Sequence, residues 1–533
     1  MRFATQQLYL LRHITAVGSL LLAAGCASVA PLATAPSAAE FTTATVVMAP
    51  SAANCRQWYG LLDEAIAQSG STDAETVRIS GFAQLRMDRF AASFQDTLAD
   101  THGDAASTAQ RAALLDYLRG LDSEARLIEI ANLDAPRRVA LKLGNAAQLR
   151  PLLDTCSAEM TRVQFNDSEP FATLAKALTV PDNYADWKRA LGWYPLSSIP
   201  FFKGVRAWQR DTAAQFAQAA LNAQRAAALP KTTRYLPRGE ITAEKGRTGD
   251  SAQRFAASPR DALGIAQMNA QDWAALLAQY APVFDIEKRG DSPEASDRFG
   301  AMHLTADAQP GVDGNRPTAY QRIAFTRYGG KTLTQLVYAI WFPERPAQHF
   351  IDLLSGQLDG VIIRITLDER GVPLLVDSIH ACGCYHLFFS TPHLRARAAP
   401  QADMEWAFVP APLPALRAGQ RLQVRLAPAT HYLLDIRLFD GAAGGGDVRY
   451  ALHDDSELRS LPLPGGGYKS IFGADGIIAG SERGERFFFW PMGIASPGAM
   501  RQWGNHATAF VGRRHFDDAD LIEQRFEIKA EQP

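Results

Sequence analysis

Cysteine is scarce in this chain: 533 residues hold five. Charge of one sign is scarce too. The 54 Lys and Arg are matched by 56 Asp and Glu, for a net charge of −2. A chain so balanced has no basic excess with which to displace phosphate counterions, which argues against nucleic acid as a partner. No apolar run reaches the roughly 20 residues that a membrane-spanning helix needs. Familiar enzyme signatures are missing as well. There is no P-loop, no Gly-x-Gly-x-x-Gly, no His-Glu-x-x-His, no Gly-x-Ser-x-Gly and no Cys-x-x-Cys-His for covalent haem. Gly493-Ile-Ala-Ser496-Pro-Gly498 comes nearest to a nucleophile elbow, with the wrong spacing. Internal repeats are absent. What remains is 47 % hydrophobic and 21 % charged, the balance of an ordinary globular protein long enough for two or three domains.

The N-terminus has the three parts of an export signal. Arg2 and Arg12 supply charge, and an apolar run of about 11 residues follows from Ile14 to Ala24. It ends in Leu22-Ala23-Ala24-Gly25-Cys26. This pattern resembles the lipobox of bacterial lipoprotein precursors, although Ala23 stands where that family usually has leucine. The resemblance implies cleavage before Cys26, lipid on its thiol and acylation of its new amino group. Several acyl chains anchor stably where one is marginal. In that family an aspartate after the cysteine favours inner-membrane retention. Ala27 is not aspartate, so the expected address is the outer membrane, with the body facing the periplasm. The alternative is an ordinary cleaved signal. The expected organisation is a signal peptide at 1–25, a flexible Ala-, Thr-, Ser- and Pro-rich tether at 26–53, a mainly helical domain at 54–281 and a β-rich domain at 282–533.

The fold class expected is α+β. Trp58, Leu61, Leu62 and Ile66 recur at helical spacing, as do Leu114, Leu115, Leu118 and Leu121, and Leu149, Leu152, Leu153 and Cys156. Pro151 suits a first helical turn. Residues 191–202 read as a proline-broken apolar loop, either a buried connection or a contact with lipid or a partner; the buried reading is preferred. Residues 231–260 read as a linker or exposed excursion, and Trp273, Leu276, Leu277 and Tyr280 as one more helix face. Strand signals dominate beyond 282. Val361–Thr366 and Val372–Ile379 flank a turn at Asp368–Gly371; Leu422, Val424 and Leu426 alternate, as do Tyr432, Leu434, Ile436 and Leu438; Phe487–Trp490 is another candidate. Short strands with Gly-rich punctuation predict an antiparallel sandwich or open barrel.

The resemblance to lipoproteins implies an oxidising compartment, which changes how cysteines are read. Cys55 and Cys156, in the helical half, are a candidate disulfide. Cys382 and Cys384 belong to His380-Ala-Cys-Gly-Cys-Tyr-His386, and nine of the eleven histidines lie at or beyond His303. Thiolate and imidazole are ligands that zinc and copper prefer, and His380, Cys382, Cys384 and His386 share parity on a continuing strand. A straight strand spreads them over roughly 20 Å, too far for one metal. Either Gly383 bends the chain, or a donor such as His349, His393 or His431 completes a set. Three readings stay open: a Zn or Cu site, a Cys382–Cys384 disulfide, and a tight structural turn with no metal. A Cys nucleophile with a His base is contained in the first two. Glu344 and His349 are placed near the turn if their strands neighbour it. Arg501–His506 and Arg513–Asp518 read as ion pairs holding a terminal segment, with an anion site as the alternative. The competing function class is a non-catalytic envelope assembly or interaction protein.

Overall fold

Helix α1 (Ala52–Ser69) starts where the Ser51 hydroxyl accepts from the Asn54 amide and stops at Gly70, whose φ of +66° suits glycine. Its Trp58, Leu62 and Ile66 are buried, as the spacing predicts. In a computed structural model the described residues are 46–47, 50–99, 105–225, 230–238, 248–290, 294–401, 403–413, 416, 420–439, 441 and 446–529. The expected signal peptide, Cys26 and most of the expected tether lie outside them. All described residues belong to the unit Thr43–Pro533.

Helix α2 (Ala105–Ala131) buries Leu114, Leu115 and Leu118, and α3 (Ala146–Gln164) buries Leu149, Leu153 and Cys156. A capping box between Asn145 and Gln148 starts α3 well before Pro151, which therefore lies inside the helix and not in its first turn. The Cys55–Cys156 disulfide ties α1 to α3, with Cα atoms 5.3 Å apart and 101 residues between them in sequence. Beside them a short hairpin, β1 (Val77–Ile79) and β2 (Phe82–Met87), carries Arg86 into a buried charge cluster. Arg86 meets Asp122 at 3.1 Å and Glu129 at 2.6 Å, and Arg126 meets Asp122 at 2.8 Å.

Residues 191–202 are not a loop. They finish a short helix, Asp186–Leu191, and open α4 (Tyr194–Gln224), with Pro200 inside it. The preferred buried reading also fails: Trp193 is 71 % and Leu196 61 % exposed. The expected linker at 231–260 holds β3 (Thr232–Pro237) and a helix, Thr248–Ala257. Helix α5 (Ala270–Tyr280) buries Leu276, Leu277 and Tyr280.

The remaining strands are β4 (Val283–Glu287), β5 (Ala301–Leu304), β6 (Pro310–Asp313), β7 (Thr318–Tyr328), β8 (Lys331–Arg345), β9 (Gly356–Leu367), β10 (Pro373–His380), β11 (Leu387–Ser390), β12 (Leu394–Ala396), β13 (Arg421–Leu426), β14 (Leu433–Phe439), β15 (Val448–Asp454), β16 (Leu461–Pro462), β17 (Tyr468–Lys469) and β18 (Phe526–Ile528). Nine of them join β3 in one ten-stranded sheet in the order β11-β10-β9-β8-β7-β15-β3-β4-β13-β14, curved as a half-barrel. From β11 to β7 it is an antiparallel meander. Beyond it β15 lies parallel to both β7 and β3, and β13 parallel to β4, so the open barrel is mixed where an antiparallel one was expected. The β9–β10 turn forms as predicted: the Asp368 carboxylate accepts the Arg370 and Val372 amides, and Gly371 has φ +77°.

The central strands are covered on both faces. Leu336, Tyr338, Ile340 and Phe342 of β8 pack with α4 and α5, whereas Val337, Ala339 and Trp341 pack with residues 458–516. That double burial explains why β8 and β9 read as continuous apolar runs. Strand β13 alternates as expected, but β14 does not: Leu433, Asp435 and Ile436 are buried, whereas Leu434 and Leu438 are only half-buried. Phe487–Trp490 is not a strand: Arg486–Phe489 is one helical turn, its Phe488 and Phe489 amides donating to the Glu485 carbonyl. Ion pairs also cross between the helical and sheet parts, Arg459 with Asp73 at 2.5 Å and Arg322 with Glu75 at 2.7 Å.

Candidate functional site

The His380–His386 segment does not continue a strand. Strand β10 ends at His380, the chain reverses, and β11 begins at Leu387. The Gly383 amide donates to the His380 carbonyl at 2.8 Å, and the His380 amide to the Cys384 carbonyl at 3.0 Å. Gly383 has φ +91°, and a Cβ there would stand 2.6 Å from the Ala507 carbonyl oxygen. The turn therefore needs glycine twice over, for its backbone and for its close packing. The shared parity expected for a straight strand has no meaning across such a reversal.

The turn separates the four candidate metal ligands. His386 Nε2 lies 2.8 Å from Asp377, whose carboxylate is also held by Arg364. His380 Nδ1 lies 3.5 Å from Asp359, on β9. Cys382 and Cys384 come together with their thiols within hydrogen-bonding reach, and neither is in a disulfide. Among the described residues no three His, Cys, Asp or Glu side chains converge as a metal ion would require. Of the additional donors, His431 is buried and reaches Asp359 at 2.9 Å; His349, His393 and Glu344 are exposed. His380 Nε2 makes no hydrogen bond, so the thiol–imidazole pair of a cysteine nucleophile is not formed.

Asp359 gathers a buried chain of polar groups. Burial pushes its carboxyl up, but Arg483 and the hydrogen bonds from His380 and His431 outweigh that and hold it well below the usual range. Burial lowers His380; it would lower His431 too, but Asp297 and Asp359 raise it. Desolvation takes His386 down to about 3, so its ring is neutral. The mutual hydrogen bond lowers the Cys382 thiol and raises that of Cys384 well above its ordinary value, where burial adds to the rise. Next to the turn, the Tyr432 hydroxyl donates to Tyr385 at 2.9 Å, and Arg345 donates to Tyr432 at 2.9 Å.

A cavity of about 480 Å³ lies over this turn. Its floor includes Cys382, Cys384, Tyr385 and His386; its walls include Phe201 and Trp208 of α4, Phe408 and Phe489. Trp208 packs against Tyr385 and Phe408 with ring centroids 5.5 Å away in each case. Glu485 faces the cavity. It is 5 % exposed, and burial raises its carboxyl to about 7 although Arg483 and Arg345 oppose the rise. Clefts with such a perturbed acid are where binding and proton transfer concentrate.

Glu485 and Trp208 were not found from sequence. Glu482-Arg-Gly-Glu485-Arg reads as a solvated segment, and Trp208 as one aromatic in an Ala- and Gln-rich helix. Asp359 did leave a trace, as a carboxylate at the head of an apolar strand run. The C-terminal cluster divides. Arg513 pairs with Asp182 and Asp186, holding the segment to the helical part, whereas Arg501 donates to the Cys382 carbonyl at 3.1 Å and buttresses the turn. No protein-family model, curated protein or solved structure matches this chain.

Proposed function

We propose that this chain is a bacterial lipoprotein, acylated at Cys26 and held at the outer membrane with its body towards the periplasm, and that the body binds an apolar small molecule in the cavity over the Cys382–Cys384 turn. One observation carries the binding reading: a cavity of about 480 Å³, walled by aromatic and aliphatic side chains and carrying a buried carboxyl. Its size falls in the range of roughly 300–1,000 Å³ typical of small-molecule sites. Its polar lining, Glu405, Glu485 and Arg514 included, orients a ligand, and the apolar walls supply affinity. Glu485, largely protonated below pH 7, offers a hydrogen bond to a polar end. The reading needs no metal.

Titration with a fluorescent 18-carbon fatty acid tests it. Saturable binding should weaken at least tenfold in Trp208→Arg, which puts a charge into the wall. Absence of saturable binding, or equal binding by the variant, contradicts the reading. A second reading is favoured by one specific observation, the paired free thiols: exchange with a disulfide on a partner would leave Cys382 and Cys384 bridged and the partner reduced. Thiol labelling before and after mild reduction should then show two cysteines changing together. Two thiols that stay free when incubated with oxidised glutathione contradict it.

A further inference from the structure

Pro200, Phe201 and Phe489 line the cavity and belong to the two segments that build an exposed apolar face. Trp187, Leu191, Trp193 and Ile199 are 63, 67, 71 and 51 % exposed, and Phe487, Phe488 and Trp490 are 67, 59 and 37 % exposed. The segments adjoin. Arg189 donates to the Met492 carbonyl at 2.9 Å, the Ala185 amide to the Gly493 carbonyl at 2.8 Å, and the Phe201 and Phe489 rings are 5.1 Å apart. Isolated exposed apolar side chains are ordinary, but adjoining ones mark an interaction face.

Its occupant follows from what surrounds the aromatics. Lys188 lies over the Trp187 ring at 5.6 Å, Arg206 over Phe202 at 5.0 Å and Arg486 over Phe487 at 4.9 Å. Lys203 and Arg210 are exposed on the same helix. Of the neighbouring acids, Asp186 is taken by Arg513 and Glu482 lies 4.0 Å from Arg486, which leaves Asp211. Tryptophan and phenylalanine interleaved with Lys and Arg are the chemistry of a bilayer interface, where rings sit at headgroup depth and cations meet anionic lipid. Trp193 adds an independent sign. It holds φ +50°, a left-handed conformation that costs a bulky residue about 1–2 kcal/mol. Since the side chain is 71 % exposed, core packing does not account for tryptophan there.

We infer that the face formed by residues 187–199 and 487–490 rests on the lipid bilayer surface and holds the adjoining cavity against it. The inference leans on the anchored reading in one respect, that lipid on Cys26 holds the body close to a membrane. The contact itself requires no anchor. It gives the cavity a source of apolar ligand, the leaflet beneath it.

The test uses the mature chain produced from Ala27 onward, which has no acylation site and keeps the whole unit Thr43–Pro533. It is sedimented with vesicles of phosphatidylethanolamine and phosphatidylglycerol in a 3:1 ratio. The parent should bind, with a blue shift in tryptophan emission, and bind more weakly in high salt. Trp193→Ser/Phe487→Ser/Phe488→Ser should partition at least tenfold less. Val139→Ser, at an equally exposed position on another helix, should match the parent. Failure of the parent to bind, or equal binding by the triple variant, overturns the inference. A concentration-dependent dimer abolished by the triple variant, with no vesicle binding, also overturns it and assigns the face to protein association. The anchor is tested separately, by palmitate labelling of the full chain with Cys26→Ser as control, so the two failures are distinguishable.

Discussion

Glu485 is the side chain whose titration reports most directly on the cavity. Its carboxyl is raised by burial from 4.5 to about 7. Between those values the folded protein keeps a proton that the unfolded chain gives up. Stability contributed by that proton is therefore full below pH 4.5 and lost as pH rises through 7. The loss is on the order of 3 kcal/mol at most. Glu485→Gln should gain thermal stability over the parent at pH 8 and lose the advantage at pH 4.5. A constant offset between the two pH values, measured by calorimetry, would sink this account of the carboxyl. The same residue shows what sequence conceals. Nothing local separates it from Glu482, three positions earlier and half-exposed; only the packing of Gly498 and the cavity makes it different. Cys55 and Cys156 were legible because the helical half has no other cysteine to pair. Cys382 and Cys384 were legible as a pair, though whether they bind metal, bridge or stay free depends on how sharply the chain turns between them.

At the scale of elements, apolar spacing identified α1, α2, α3 and α5 and the β9–β10 hairpin. It failed at residues 191–202, whose apolar side chains belong to a helix with a face that the core does not cover. The turn after β10 failed for another reason: parity holds only while a strand runs on, and Gly383 ends it. Gly383→Ala should cost about 2–3 kcal/mol, through the left-handed φ and the contact with the Ala507 carbonyl. Chemical denaturation measures it, and a neutral substitution would mean that the turn is not packed as described. Replacing Cys55 and Cys156 together by serine should remove about 2–4 kcal/mol, because the bridge closes a long loop between α1 and α3. An unchanged denaturation midpoint would contradict that role.

Across the whole molecule, the helical and sheet parts are joined by buried charge. Arg459 and Asp73 are each about 2 % exposed and pair at 2.5 Å. Arg459→Ala takes from buried Asp73 its cation, leaving the hydrogen bond from Gln502, and should cost about 3–5 kcal/mol. Loss of the pair should also split urea unfolding into two steps, and a single unshifted transition would show that the parts are not coupled there. The coarse plan, helices first and a β-rich half-barrel after, was readable from the texture of the chain. The parallel pairings of β15 and β13 were not, because they join strands far apart in sequence. The cavity was not readable either, since α4, the β10–β11 turn and residues 405–408 and 485–510 each supply part of its wall. Its role is the central claim. The most direct measurement is the rate at which a maleimide alkylates Cys384 in the reduced mature chain, with and without a saturating long-chain fatty acid. Ligand in the cavity covers the turn, so the rate should fall at least tenfold. An unchanged rate with the fatty acid bound would place the ligand elsewhere and contradict the account.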